Sequence, residues 1–320
     1  MKVLVGRNSM GLESYLPELR KDYPQIEFVH CVDRTALPDA IADADIHLGW
    51  LNRDIFLAAK KLKWIQSPST GIDYYLAIPE LVESDVLLTS ARGTHGACLA
   101  ESTLAMIFAF TRGIRDSVLN QQHHSWAIRS IRSKLVELTG STMGIIGFGM
   151  IGRSLAKRAQ AFDMRIIAVD IYPTDKPDYV SELWGTDRLD DLLRNSDYVV
   201  VTVPRTPQTR GMIGAEQLAL MKPTAMLVGI SRGGIIDQGA LAQALREKRL
   251  AAAALDVFEA EPLPADSELW DIENLLITPH IAGGTQLEAQ SIVRIFRENL
   301  SCFLQGDLPL RNQIDKRRGF

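Results

Sequence analysis

The chain has 320 residues, 46% apolar and 23% charged, with a formal net charge of −4. That length favours two domains around full hydrophobic cores. The acidic balance, with no long basic run, argues against nucleic acid as a partner. The opening MKVLVG carries only a four-residue apolar stretch, too short for a signal peptide, and no stretch approaches a membrane span. A cytoplasmic protein with no membrane partner is therefore expected. Cys31, Cys98 and Cys302 are scattered without metal-ligand spacing, which predicts reduced thiols and no metal site.

In chain order, KVLVG, IEFVH, DIHLGW, KWIQS and VLLTS read as strands. GLESYLPELRKDY and RDIFLAAKKL show helical spacing between them. Strands alternating with helices predict a parallel sheet covered on both faces. From Gly96 to Trp126 the pattern is one long helical stretch, apolar first and then polar. A second alternating series follows: TMGIIG, MRIIAVD, DYVVVTV, TAMLVGI, AAAALDV and NLLITP as strands, with helices at IGRSLAKRAQAF, LDDLLRN and QGALAQALREKR. LEAQSIVRIFRENLSCFLQG is a terminal helix stopped by Gly306. The expected fold class is α/β, with two doubly wound parallel sheets.

The second series opens with a glycine pattern, Gly147, Gly149 and Gly152, placed between a strand and a helix. In G-x-G-x-x-G the first glycine permits the tight turn, the second lets backbone approach a pyrophosphate, and the third allows close helix–strand packing. Met150 and Ile151 begin the helix, whose free amides and dipole favour an anion. Asp170 follows Gly152 by 18 positions, at the end of the next strand. A carboxylate there accepts hydrogen bonds from ribose hydroxyls and repels a 2′-phosphate, so NAD is expected over NADP. The alternative for Asp170 is a strand-end turn residue.

Three later loops carry chemistry. Arg232, Glu261 and His280 each lie just beyond a predicted strand, where open α/β sheets bind ligands. A guanidinium grips a carboxylate, an imidazole moves a proton near neutral pH, and a nearby carboxylate favours the imidazolium. Reduction of a ketone by hydride needs such an anchor, donor and support. Each residue alone also reads as an ordinary loop residue; together, in this order, they read as a catalytic set. His123 and His124 are adjacent on a predicted helix, do not share a face, and read as solvated or interface residues.

These segments, with VPRTPQTRGMIG between them, resemble the D-isomer-specific 2-hydroxyacid dehydrogenase family over nearly the whole chain. The resemblance implies that Arg232 binds substrate, Glu261 supports the histidine and His280 is the acid/base, with Arg232 and His280 also beside the cofactor. It assigns Asp256 to the nicotinamide carboxamide and places Pro204 in the cofactor-binding stretch. It implies a Rossmann-type dinucleotide-binding domain, residues 95–280, inserted into a discontinuous flavodoxin-like substrate domain, residues 1–94 and 281–320. SPSTGIDYY resembles the family's substrate loop, in which amides near Thr70 and Gly71 hold a carboxylate; the alternative is an ordinary turn leading to a helix capped near Gly71 or Ile72.

Within the family the chain is most similar to bacterial glyoxylate/hydroxypyruvate reductases, on NQQHHSW, LPADSELW and QIDKRRGF. Trp50 matches a tryptophan near the substrate in that group; its alternative is a core residue. Those reductases usually prefer NADP and carry Ser-Arg where this chain has Asp170-Ile171. The expected partners are a small 2-oxo or 2-hydroxy acid and a second copy of the chain. Two other functions fit the same residues: a phosphoglycerate dehydrogenase, and an NAD(H)-binding regulatory protein that keeps the triad.

Overall fold

The computed structural model describes residues 1–319 and divides into two compact units. One contains Met1–His95 and the chain from Thr285 onward; the other is Gly96–Gly284.

The first unit is built on five strands: β1 (Lys2–Val5), β2 (Glu27–His30), β3 (Ile46–Leu48), β4 (Trp64–Gln66) and β5 (Leu87–Thr89). They pair in parallel in the order β2-β1-β3-β4-β5. Val3, Leu4, Val5, Ile46, Leu48 and Ile65 are fully buried, as expected of strands covered on both faces. On one face Trp64 stacks on Phe296 at 5.3 Å between ring centroids. Phe296 belongs to the helix Glu288–Gln305, so the terminal helix completes the core begun by the first 95 residues. Gly306 ends that helix at φ +78, a left-handed cap that glycine adopts without a Cβ penalty.

The second unit is built on seven strands: β6 (Thr142–Ile146), β7 (Arg165–Val169), β8 (Glu182–Trp184), β9 (Tyr198–Val201), β10 (Met226–Gly229), β11 (Ala252–Leu255) and β12 (Leu275–Ile277). Their order is β12-β11-β10-β9-β6-β7-β8, parallel throughout. The order reverses between β6 and β9. That is the switch point at which doubly wound sheets bind dinucleotides.

The expected strands all form, and β8 is an addition; its three half-buried residues show no clear period. The stretch from Gly96 is not one helix. It breaks into Gly96–Thr111 and Ile114–Gln122, bent by 65°. Gly113 turns the chain at φ +62, and a Cβ there would lie 2.5 Å from Ile131 Cγ2. The second helix stops early, so His123 is its C-cap and His124 lies beyond it at φ 51. Among the described residues no single helix is long and apolar enough to cross a membrane.

Candidate active site

Parallel strands bring the loops after β6, β7, β9, β10, β11 and β12 to one edge of the second sheet. Gly147, Asp170, Pro204, Arg232, Asp256 and His280 occupy those six loops. Within the glycine turn the three glycines have separate physical reasons. Gly147 has φ +95, and an added Cβ would meet Val203 Cγ1 at 2.8 Å. At Gly152 a Cβ would lie 2.4 Å from the Gly147 carbonyl oxygen, so glycine lets the helix Met150–Gln160 sit against the turn. At Gly149, by contrast, a Cβ would meet nothing within 4 Å. Packing explains the outer pair, while the middle glycine borders open space beside the exposed Met150 and half-buried Ile151. This is a cradle whose amides suit a pyrophosphate.

Asp170 is aimed into the same turn. Its Oδ2 accepts from the Phe148 amide at 2.6 Å and its Oδ1 from the Tyr172 amide at 2.9 Å. Each oxygen keeps capacity for a further donor. Arg153, unmarked by any motif in the sequence, braces this corner. Its guanidinium lies over the Phe148 ring at 4.8 Å and donates to the carbonyls of Thr174 and Asp175. Across the switch point, Thr202 Oγ1 donates to the Gly147 carbonyl at 2.6 Å. Pro204 is exposed just beyond, its carbonyl accepting from Thr209 Oγ1 at 2.7 Å.

The loops after β10, β11 and β12 interlock. Gly233 has no room for a side chain: a Cβ would lie 1.8 Å from the Phe258 carbonyl oxygen. The Arg232 loop is thereby packed on the loop that carries Glu261, and Arg232 Nη1 also donates to the Ser231 carbonyl at 2.7 Å. Glu261 is held by the Phe258 amide, which donates to its Oε1 at 2.8 Å. Its Oε2 lies 2.6 Å from His280 Nδ1. A carboxylate only accepts, so Nδ1 carries the hydrogen and Nε2 is directed away. The His280 side chain is 47% exposed.

Asp256, 1% exposed, holds the histidine loop from beneath. Its Oδ1 accepts from Thr278 Oγ1 at 2.6 Å and the Ile281 amide at 2.9 Å, and its Oδ2 from the Ala282 amide at 3.0 Å. Nothing in the sequence pattern pointed to this role. Oδ2 retains capacity for one further donor.

In the first unit, Thr70 and Gly71 lie in the turn after β4, which leads into the short helix Asp73–Leu76 with Ile72 at its N-cap. The turn-then-helix alternative describes this local geometry. The Gly71 amide donates to Ser69 Oγ at 3.2 Å, and Thr70 Oγ1 lies 2.9 Å from His95 Nδ1. Trp50 is half-buried after β3. Its carbonyl lies 3.2 Å from Nε2 of His47, which burial holds at a pKa of about 4 and therefore neutral. Tyr75 donates to the neighbouring Gly49 carbonyl at 2.5 Å, and its burial pushes the phenol pKa well up.

A seven-stranded doubly wound sheet with a glycine cradle at its switch point defines a dinucleotide-binding α/β protein. Residues 104–282 match the family described as D-isomer specific 2-hydroxyacid dehydrogenase, NAD binding domain. The chain belongs to that family, whose members are oxidoreductases acting on CH–OH donors. It is 34% identical to a glyoxylate reductase of Thermococcus onnurineus, over 88% of this chain and 86% of that one. It is 35% identical to a D-3-phosphoglycerate dehydrogenase of Methanocaldococcus jannaschii over 91% of its own length, but spans only 56% of that relative. Its structure matches that of the NADPH-dependent glyoxylate/hydroxypyruvate reductase of Sinorhizobium meliloti, solved with NADP and sulfate. There the TM-score is 0.85, at 25% identity and 100% coverage of both chains. The expected α/β fold with two parallel sheets is the fold of this family.

Proposed function

We propose that this protein reduces a small 2-oxo acid to the D-2-hydroxy acid with NADH, and that glyoxylate or hydroxypyruvate is its substrate. The observation that carries this reading is the His280–Glu261 pair at 2.6 Å, braced by Asp256 and packed against the Arg232 loop. The reading assigns the dinucleotide role to residues 95–280 and the substrate role to residues 1–94 and 281–320.

In the second unit Arg232 is the group for the substrate carboxylate; in the first, the amides of Thr70 and Gly71 suit a carboxylate, and Trp50 is the candidate for a place beside the substrate. For the Gly71 amide this requires exchanging its long bond to Ser69 Oγ. A bound nicotinamide dinucleotide supplies the hydride. His280 donates the proton to the ketone oxygen from Nε2. Glu261 keeps the ring in orientation and offsets the positive charge before transfer. The cradle residues Gly147, Gly149, Met150, Ile151 and Gly152 hold the pyrophosphate, with Pro204 beside it, and Asp170 accepts from the ribose hydroxyls. Asp256 has one acceptor position left for the carboxamide. The Asp170 carboxylate supports NADH, unlike the NADPH-dependent relative from Sinorhizobium.

The likeness to an archaeal D-3-phosphoglycerate dehydrogenase favours a second reading, with a phosphorylated substrate. Steady-state turnover on glyoxylate, hydroxypyruvate, pyruvate and 3-phosphohydroxypyruvate, each with NADH and NADPH, separates the two. Preference for 3-phosphohydroxypyruvate supports the second reading. Oxidation of neither cofactor with any acid would leave the NAD(H)-binding regulatory function.

A further inference from the structure

The first unit holds a second histidine–carboxylate pair that the reaction described above does not use. His95 is 8% exposed. Its Nε2 lies 3.1 Å from Glu288 Oε1, in the first turn of the terminal helix. Its Nδ1 lies 2.9 Å from Thr70 Oγ1 and 2.7 Å from Thr94 Oγ1. Thr94 is itself held, its Oγ1 also lying 2.8 Å from the Ala91 carbonyl oxygen. Ala91 in turn donates its amide to the Ser69 carbonyl at 3.0 Å. The turn carrying Thr70 and Gly71 is thus tied to the segment Ser90–His95 twice, once by backbone and once by the imidazole.

We infer that His95 is a positioning residue for the substrate: by holding the Thr70 hydroxyl, with its own ring anchored on Glu288, it fixes the Thr70–Gly71 turn in the conformation that receives the carboxylate. The chemistry suits the task. Threonine is stiff at χ1, so capture of Oγ1 sets its rotamer and restrains the adjoining backbone. A carboxylate on Nε2 puts the hydrogen on that nitrogen and orients the ring, as such partners do for functional imidazoles. A preformed turn loses less conformational entropy when it binds a ligand than a mobile one does.

The inference rests on the proposed carboxylate role of this turn, and the experiment separates the two. Asparagine places a polar atom where Nδ1 stands; glutamine places one where Nε2 stands. If His95 serves the turn, His95→Ala and His95→Gln should raise KM for the 2-oxo acid about tenfold. In both, kcat should stay within about threefold, the pattern of lost ground-state and transition-state binding together. NADH affinity, read by fluorescence titration, should not change. His95→Asn should recover most of the KM. Thr70→Val should match His95→Ala, and Thr70→Ser should not. An unchanged KM in His95→Ala, or recovery by glutamine as full as by asparagine, would overturn the inference. If the unaltered protein turns over no 2-oxo acid, the proposed function fails first. Amide hydrogen exchange at Thr70 and Gly71 then decides the inference alone. Faster exchange in His95→Ala and His95→Gln but not His95→Asn supports it, and unchanged exchange in His95→Ala overturns it.

Discussion

His280 sits at φ +54, a region that residues other than glycine seldom occupy. Such a conformation costs on the order of 1–3 kcal/mol and persists only where its surroundings impose it. Asp256 imposes it, with three donors from Thr278, Ile281 and Ala282 on one buried carboxylate. Asp256→Asn turns an NH2 toward one of those donors, and the lost acceptor should cost about 1–3 kcal/mol of local order. The expected result is a lower kcat with the overall fold retained, checked by kinetics beside circular dichroism; a kcat equal to the unaltered protein's would refute the bracing role. At Asp170 the issue is cofactor choice. A 2′-phosphate beside this carboxylate meets a like charge, a juxtaposition that costs several kcal/mol when solvent is excluded. We expect kcat/KM for NADH to exceed that for NADPH by at least about tenfold, and Asp170→Ser with Ile171→Arg to shift preference toward NADPH. Parity between the cofactors in the unaltered protein would mean that another group receives the phosphate. The placement of Arg232, Glu261 and His280 beyond apolar strands was legible in the sequence. Asp256's bracing was not, because its partners are chiefly backbone amides about 25 positions away, and backbone partners leave no residue-type signal.

Among the elements, the glycine turn makes two opposite predictions. Gly152→Ala drives a methyl to within 2.4 Å of the Gly147 carbonyl oxygen. Overpacking of that kind costs typically about 1–3 kcal/mol, so both stability and NADH affinity should fall. Gly149→Ala enters open space, so its melting temperature should hold while NADH affinity drops. A loss of stability at Gly149 equal to that at Gly152 would contradict this division. Strand β3 carries a pH-sensitive element. His47 is fully buried with a pKa of about 4, against 6.5 in an exposed chain. Between those values the unfolded chain binds the proton and the folded one does not, so stability falls as pH drops from about 6.5 to about 4, by about 3 kcal/mol. Denaturant unfolding across that range should show a weaker acid dependence in His47→Met; an identical dependence would clear His47 of this role. Periodicity made the strands legible because sheets buried on both faces read as apolar runs. It missed β8, an edge strand whose half-buried Glu182–Trp184 make no buried apolar run, and the break at Gly113, where a single glycine inside a helical pattern left no local mark that it would turn the chain.

For the whole molecule, the length pointed to two domains and the charge argued against nucleic acid; the structure has two parallel sheets in two compact units. No local pattern in the sequence reveals that the terminal helix packs into the core of the first 95 residues, because its partners lie nearly the whole chain away. Apolar side chains stay exposed on the helices that follow Gly113 and in the loop between them: Trp126, in the loop, is 91% exposed, and Ile114, Val118 and Ile128 each at least 50%. Patches of this kind mark association surfaces. We expect a homodimer at micromolar concentration by light scattering, shifted toward monomer in Trp126→Asp; a monomeric unaltered protein would refute it.

On the proposed function, His280 protonates the ketone oxygen during reduction of a 2-oxo acid. Its most direct test is turnover of hydroxypyruvate with NADH by the unaltered protein and by His280→Ala, beside NADH binding measured by fluorescence. Turnover is expected in the first and a fall in kcat of about 10²–10⁴-fold in the second, with NADH still bound. Turnover surviving undiminished in His280→Ala, or no turnover of any 2-oxo acid by the unaltered protein, would contradict it.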